Sequence, residues 1–321
     1  MAIKKIGVLT SGGDGPGMNA AIRSVVRCAL SNGLEVAGII RGYQGLIDDE
    51  VVELNHRSVS NIINRGGTII KTARSREFKT QDGMQKALKT LKKHGIDALI
   101  VIGGDGSYRG AQILFEEHNI PVIGLPGTID NDLCGTDQTI GCHTAVNTAL
   151  EAIDKIRDTA HSMERIFVIE VMGNRSGYIA LEVALGAGAE DVLIPERKFD
   201  YESLCQNIVR GNKLGKISWM IVVAEGAAKA PDVAQTIKEM TGLETRFVVL
   251  GHVQRGGVPV EGDRILATRV GAVAVDLLMQ GIYGKAVGVL GDEINVVDLP
   301  VACKRENRNA DEYLKLIKLL R

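Results

Sequence analysis

Short apolar runs separated by amphipathic stretches recur along nearly the whole chain, and this alternation limits the fold more than any other feature. Strand-like runs fall at Lys5–Thr10, Leu34–Ile40, Ala98–Ile102, Val122–Leu125, Ile166–Val171, Val192–Ile194, Trp219–Ala224, Phe247–Leu250, Val287–Leu290 and Ile294–Val297. Between them the periodicity predicts helices over Met18–Ser31, Thr80–His94, Ser107–His118, Cys142–Ser162, about Tyr178–Ala187, from Tyr201, about Val233–Met240, and over Gly262–Gln280 and Ala310–Leu320. Residues 41–75 read as a less regular, partly polar region. Strands alternating with helices build parallel sheets covered by helices on both faces. About ten strands exceed an ordinary sheet, so an α/β protein of two lobes is expected.

Composition narrows the partners. The 321 residues are 45% hydrophobic and 24% charged, which is globular rather than disordered. The 38 basic and 39 acidic side chains balance, so nothing global draws the chain to nucleic acid or an anionic membrane. Lysines 86, 89, 92 and 93 read as the solvated face of one helix. Five cysteines (28, 134, 142, 205, 303) without a CxxC pair fit a reducing compartment. MAIKKIGVLTSGGDG enters a strand and a glycine loop at once, with no signal-type apolar region, and no apolar run approaches a membrane span. A cytoplasmic location is expected.

The stretch PGTIDND, Pro126–Asp132, follows a buried-type strand and ends in two carboxylates. In open α/β sheets, ligands bind beyond the carboxyl ends of strands. If the segment stays extended, Asp130 and Asp132 share a face, which suits general-base work or metal handling near phosphate. The alternative is that one of them caps the helix that follows. A second acidic loop, GGDGS at 103–107, favours chemistry.

The first glycine loop, SGGDGPGMN, imitates two familiar signatures and satisfies neither. Gly13, Gly15 and Gly17 have the wrong last spacing for a dinucleotide loop, and Met18 and Asn19 replace the Lys and Ser/Thr of a P-loop. What remains is a glycine-rich turn feeding a helix N-terminus, either a phosphate cradle or simply a tight turn. In the second loop Asp105 stands among three glycines, where it would repel phosphate unless a cation lay between. Mg2+, which takes one or two carboxylates plus phosphate oxygens, is the economical explanation. Together these loops point to phosphoryl transfer. Arginines at loop positions 74, 165, 246 and 255 suit bidentate phosphate binding, although each alone could be a surface ion pair.

At these residues the chain resembles the bacterial-type ATP-dependent phosphofructokinase family. The resemblance runs from about residue 5 to 290 through GVLTSGGDGPGMNAAIR, RGGTIIKTAR, VIGGDGSYRGA, PGTIDND, IRDTA, RIFVIEVMG, VVAEG and ETRFVVLGHVQRGG. It implies two Rossmann-like lobes, each a mostly parallel sheet flanked by helices. Residues 1–141 with about 254–304 would form an ATP-binding lobe, and 142–253 with about 305–321 a sugar-phosphate lobe. The implied reaction moves phosphoryl from ATP to the 1-hydroxyl of fructose 6-phosphate. Asp130 would be the base, with Thr128, Asp132 and Arg74 completing the catalytic set. Gly13, Arg74, Ser75, Gly104, Asp105, Gly106 and Ser107 would line ATP, and Asp105 would hold Mg2+. Thr128, Ile129, Asp130, Met172, Gly173, Asn174, Glu225, His252 and Arg255 would meet the sugar. Arg165 and Arg246 would reach its 6-phosphate from a neighbouring subunit, which implies a homotetramer. Arg23, Arg27, Arg157, Gly188, Glu190 and Lys216 match a family effector site for ADP and phosphoenolpyruvate.

The chain departs from the family in several places. Asn174 stands where an Arg is usual, with Arg175 one place along. Asn61, Leu214 and Ser218 replace an acidic residue, an Arg and a His of the effector site, so effector action is expected to be weak. One rival is the pyrophosphate-dependent relative, but Gly106 and Gly127 stand where that group has Asp and Lys. A catalytically impaired regulatory subunit, suggested by Asn174, is the other. A nicotinamide dehydrogenase would need the complete GxGxxG loop that is missing.

Overall fold

The run KIGVLTS forms β1 (Lys5–Ser11), buried along all but its first residue. Such continuous burial is what a central parallel strand requires. The computed structural model describes residues 3–305 and 310–321. After β1 come α1 (Met18–Ser31) and β2 (Glu35–Ile39). The region expected to be irregular holds a short helix, α2 (Tyr43–Ile47), and an edge strand, β3 (Val51–Leu54). Five and four residues are too few to show a period, and the middle of β3 is exposed, so neither is legible as an apolar pattern. Then follow α3 (Gln81–Lys93), β4 (Ala98–Gly103), α4 (Asp105–His118) and β5 (Val122–Pro126). The Thr80 hydroxyl caps α3 by accepting from the Gly83 N–H at 3.1 Å. Helix α4 begins two residues earlier than its periodicity suggests, which puts Asp105 in its first turn.

The 21-residue α5 (Cys142–Ser162) leads to β6 (Ile166–Val171), α6 (Tyr178–Gly186), β7 (Asp191–Leu193), α7 (Tyr201–Lys213), β8 (Trp219–Ala224), α8 (Ala230–Thr241) and β9 (Thr245–Val249). The chain ends with α9 (Glu261–Met279), β10 (Lys285–Leu290), β11 (Glu293–Asp298), the single turn α10 (Leu299–Ala302) and α11 (Ala310–Leu320).

Two compact units result. The first takes Met1–Ile129, Leu133–Thr144 and Arg255–Glu306; the second takes Asp130–Asp132, Ala145–Gln254 and Asn307–Arg321. Within these ranges, residues 1–2 and 306–309 lie outside the described residues. Among the described residues the first unit carries a seven-stranded sheet in the order β11-β10-β5-β4-β1-β2-β3. Its five inner strands are parallel, and β3 and β11 close the edges antiparallel. Side chains alternate across this sheet. Ile100 and Ile102 pack with α1 and α9 on one face, Leu99 and Val101 with α3 and α4 on the other. The second unit has a wholly parallel sheet, β7-β8-β6-β9, with α7 and α8 over one face through Leu204, Ile208, Val233 and Ile237. Each unit is thus a mostly parallel sheet flanked by helices, as the alternation implies.

Candidate active site

In the first unit the order of strands reverses at β1, which lies between β2 and β4. Crevices at such a switch point are where open α/β sheets bind ligands. The glycine loops leave from the two strands that meet there, with Ser11 paired to Gly103, and Gly103 in turn paired to Pro126 of β5. Three loops therefore start side by side: SGGDGPG, GGDGS and PGTIDND. Their junction is tight. The Ser107 hydroxyl donates to the Ser11 carbonyl at 3.0 Å, and a Cβ on Gly103 would lie 2.6 Å from that oxygen. No side chain fits at residue 103.

The segment RGGTIIKTAR joins this group. Thr10 Oγ1 donates to the Lys71 carbonyl at 2.8 Å, Thr72 Oγ1 to the Gly12 carbonyl at 3.0 Å, and the Gly12 N–H reaches the Ala73 carbonyl at 3.5 Å. Arg74, next in the chain, is exposed at the rim of the first loop, and Ser75 is held on Gln44 at 2.8 Å. Arg255 also lies against the first glycine loop. Its Nη1 donates to the Asp14 carbonyl at 2.9 Å, and a Cβ on Gly13 would lie 2.3 Å from that nitrogen.

Asp105 has a carboxylate with two kinds of partner. Oδ1 accepts the Gly106 N–H at 2.7 Å, while Oδ2 lies 3.2 Å from Arg109 and 3.2 Å from Arg305. Arg109 is one helical turn along from Asp105, whereas Arg305, 200 residues away, is brought to it only by the fold. Among the described residues no group of three or more His, Cys, Asp or Glu could hold a metal by itself. A single carboxylate in a helix's first turn, beside glycine N–H groups, still fits an ion that takes most of its ligands from phosphate and water.

The PGTIDND segment does not stay extended. The chain bends at Ile129–Asp130, and Asn131 adopts φ 47°, in the left-handed region. The alternation that would put Asp130 and Asp132 on one face is broken at Asn131. Capping is not their role either, because the next helix, α5, starts only at Cys142. Thr128 faces the second glycine loop: its Cβ and hydroxyl would lie 3.6 and 3.8 Å from a Cβ on Gly104.

In the second unit, β6 lies between β8 and β9, and the loops at the three carboxyl ends are cross-linked. The Asn174 N–H donates to Glu225 Oε1 at 2.9 Å, and the Met172 N–H to Gln254 Oε1 at 2.8 Å. Gln254 is fully buried and also donates to the Ala145 carbonyl at 3.3 Å. It lies within the HVQR run, yet nothing in the sequence marks it as the residue that ties that run to Met172. Asn174 has φ 55°, and its side chain is exposed, as is that of His252. Gly173 between Met172 and Asn174 has φ 143°.

Arg165 and Arg246 are placed differently. Arg165 precedes β6 and Arg246 is the second residue of β9, so both stand at the amino ends of their strands. They share Glu244, at 3.2 and 2.6 Å, and this pairing holds the Glu244 carboxyl below its usual range. Along β6 they stand roughly 17–23 Å from Met172, Arg246 being opposite Phe167 and Arg165 just before the strand. The two sets therefore stand at opposite ends of the strands of this unit. Of the remaining positions, Arg23 and Arg27 stand on α1 of the first unit; in the second, Arg157 donates to the carbonyls of Ala187 and Gly188, and Lys216 pairs with Glu190 at 3.0 Å while lying over the Trp219 ring. Leu214, at the end of α7, is 80% exposed.

Fold and loops together describe a doubly wound polyanion-binding protein with glycine loops at a switch point. The phosphofructokinase family model matches residues 5–278, and the chain belongs to that family. It is 51% identical over 321 residues to a protein named ATP-dependent 6-phosphofructokinase from Thermoanaerobacter sp. (strain X514), covering 99% of this chain and 100% of the relative. A protein of that name from Glaesserella parasuis is 56% identical over 91% of each chain. Among solved structures, phosphofructokinase from Saccharomyces cerevisiae superposes with TM-score 0.85 at 37% identity, covering 98% of this chain and 46% of that one. A pyrophosphate-dependent phosphofructokinase from Nitrosospira multiformis shares the fold at TM-score 0.86 and 22% identity, covering 98% and 91%.

Gly127 follows from this packing. A Cβ there would meet Ile102 Cγ2 at 2.7 Å and the Gly103 nitrogen at 3.1 Å. Gly127→Ala is expected to destabilise by about 1–3 kcal/mol through overpacking. Chemical denaturation should show a lower midpoint at unchanged slope; an unchanged midpoint would show that the strand end yields freely.

Proposed function

We propose that this chain is an ATP-dependent 6-phosphofructokinase, transferring the terminal phosphoryl group of ATP to the 1-hydroxyl of fructose 6-phosphate. The observation that carries the reading is the pairing of Ser11 with Gly103 and of Gly103 with Pro126 at the switch point. It sets two glycine loops beside the strand end that leads to Asp130. Relatives of that name, more than 50% identical over nearly the whole chain, support it.

The residues divide the work as follows. The loops at Gly13 and Gly104–Ser107, with Arg74 and Ser75, receive the nucleotide through backbone N–H groups and guanidinium charge. Asp105 would hold Mg2+, which supplies charge neutralisation on the phosphate oxygens. Asp130 accepts the proton of the sugar hydroxyl as its oxygen bonds to the terminal phosphorus and the bond to ADP breaks. Thr128 and Asp132 support that geometry. Met172, Gly173, Asn174, Glu225 and His252, with Ile129 and Arg255, receive the sugar. Because positioning and charge supply most of the catalysis in phosphoryl transfer, no covalent intermediate is needed.

Arg165 and Arg246 serve the 6-phosphate of a neighbouring copy in a homotetramer. Their position at the amino ends of β6 and β9, away from the other sugar residues, favours this. The enzyme works in the cytoplasm, which the five free cysteines suit. Among the described residues no helix is long and apolar enough to cross a membrane.

The wild type is expected to use MgATP and to show little activity with pyrophosphate. A Cβ on Gly106 would meet nothing within 4 Å, so the backbone of Gly106→Asp needs no shift to take a side chain. The substitution should weaken ATP use by crowding and repelling phosphate oxygens. Assays with both donors decide this, and a wild type preferring pyrophosphate overturns the ATP reading.

Asp130→Asn keeps the shape and loses the base. Turnover should fall by about 10²–10⁴, with sugar binding affected far less. Near wild-type turnover would remove Asp130 from the mechanism.

Effectors act weakly on this chain. Arg23, Arg27, Arg157, Gly188, Glu190 and Lys216 receive ADP or phosphoenolpyruvate, but exposed Leu214 supplies no cation. A charge-assisted hydrogen bond is worth about 1.5–3 kcal/mol, and a whole allosteric coupling only about 1–3 kcal/mol. Half-saturating fructose 6-phosphate should therefore barely move with low phosphoenolpyruvate. A large rise that Arg27→Ala abolishes would show an intact effector site.

A further inference from the structure

Asp263 lies in the first turn of α9, outside both glycine loops and the PGTIDND segment, and is 1% exposed. Its Oδ1 accepts the Gly141 N–H at 2.8 Å. Its Oδ2 accepts the Thr144 N–H at 2.8 Å and the Thr144 hydroxyl at 2.5 Å. That hydroxyl in turn accepts the Val260 N–H at 3.0 Å, so the first turns of α5 and α9 hold each other. Burial pushes the Asp263 carboxyl upward, and these donors with nearby His143 oppose the shift. All three donors are neutral groups. For capping alone, a neutral Ser or Thr would avoid the cost of desolvating a carboxylate. What a carboxylate adds is stronger, shorter, more directional hydrogen bonding.

The segment it grips touches two parts of the active site. Ile140, next to Gly141, donates its N–H to the Pro126 carbonyl at 2.8 Å and bridges Gly127 in parallel. On its other side it meets the first glycine loop. A Cβ on Gly17 would lie 2.7 Å from Ile140 Cγ2 and 3.4 Å from the Asp263 Cβ. A Cβ on Gly141 would lie 3.0 Å from the Pro16 carbonyl and 3.2 Å from Ile129 Cγ2. Ile140–Gly141 is a spacer between the loop assigned to the nucleotide and the strand end that leads to the base.

We propose that Asp263 is a positioning residue for phosphoryl transfer, its carboxylate fixing the Ile140–Gly141 spacer and so the distance from the first glycine loop to Thr128–Ile129. This rests on the functional reading above. Misplacement of reacting groups by about 1 Å can cost about 10²-fold in rate. It also leaves bound ATP open to attack by water instead of the sugar.

The experiment measures fructose 1,6-bisphosphate formed per ATP consumed, with both KM values, for the full chain and for Asp263→Asn, Thr144→Val and Thr144→Ser. A ratio does not depend on how much of a preparation is folded. Asp263→Asn is expected to lower kcat by about 10–100-fold. Its product-per-ATP ratio should fall clearly below the wild type's, while both KM values stay within about threefold. Thr144→Ser, which keeps the hydroxyl, should match the wild type, and Thr144→Val should fall between. A wild-type ratio and unchanged kcat in Asp263→Asn would overturn the proposal, even with a lower melting temperature. If Asp263→Asn does not fold, Thr144→Val decides: a lowered ratio supports the positioning role and an unchanged one removes it. A wild-type chain that makes no fructose 1,6-bisphosphate refutes the functional reading instead.

Discussion

Hydrogen bonding between parallel neighbours β1, β4 and β5 fixes Ser11 opposite Gly103 and Gly103 opposite Pro126. That register is the constraint on which the first unit's chemistry depends. Side chains in a strand alternate faces, so slipping one strand by a residue would exchange its buried sets between α1/α9 and α3/α4. Core packing therefore locks the register, and the register locks the starting points of three loops. Glycine at 103 then lets the loops close on one another, with Ser107 reaching Ser11 across a gap that no Cβ would fit.

Charge is distributed with the same economy. The chain as a whole is nearly neutral, yet guanidinium groups gather where polyanions are expected. Arg109 and Arg305 flank Asp105, and Arg255 crosses the first glycine loop. Arg165 and Arg246 meet on Glu244 at the amino ends of their strands. Exposed ion pairs of this sort contribute little to stability. Carboxylates hold four of these guanidinium groups in place, and the Asp14 carbonyl holds Arg255.

Backbone conformation supplies what the sheets do not. Asn131 and Asn174 both take left-handed conformations at loops that follow strands, a region Asn enters more readily than most residues. At Asn131 this turns the chain just after Asp130, and the two nearby carboxylates no longer alternate as they would in a strand. At Asn174 it aims the N–H at Glu225, joining two strand ends.

Much of this was legible in the residues. Periodicity determined the helices and strands, because burial on one or both faces imposes its period directly on the sequence. The glycine loops and PGTIDND pointed to phosphoryl transfer, because close approach to phosphate admits few residue types, and the full run of motifs carried the resemblance to the family. Residues 43–54 were not legible, since α2 and β3 are too short and too exposed to carry a period. Tertiary structure alone decided which distant residues meet. Arg305 reaches Asp105, Gln254 ties Met172 to the end of β9, and Asp263 grips Gly141 and Thr144. Each contact joins residues 80 or more positions apart. A polar side chain in a helix or turn looks the same in sequence whether it faces water or a buried donor. Only the packing of the sheets determines which.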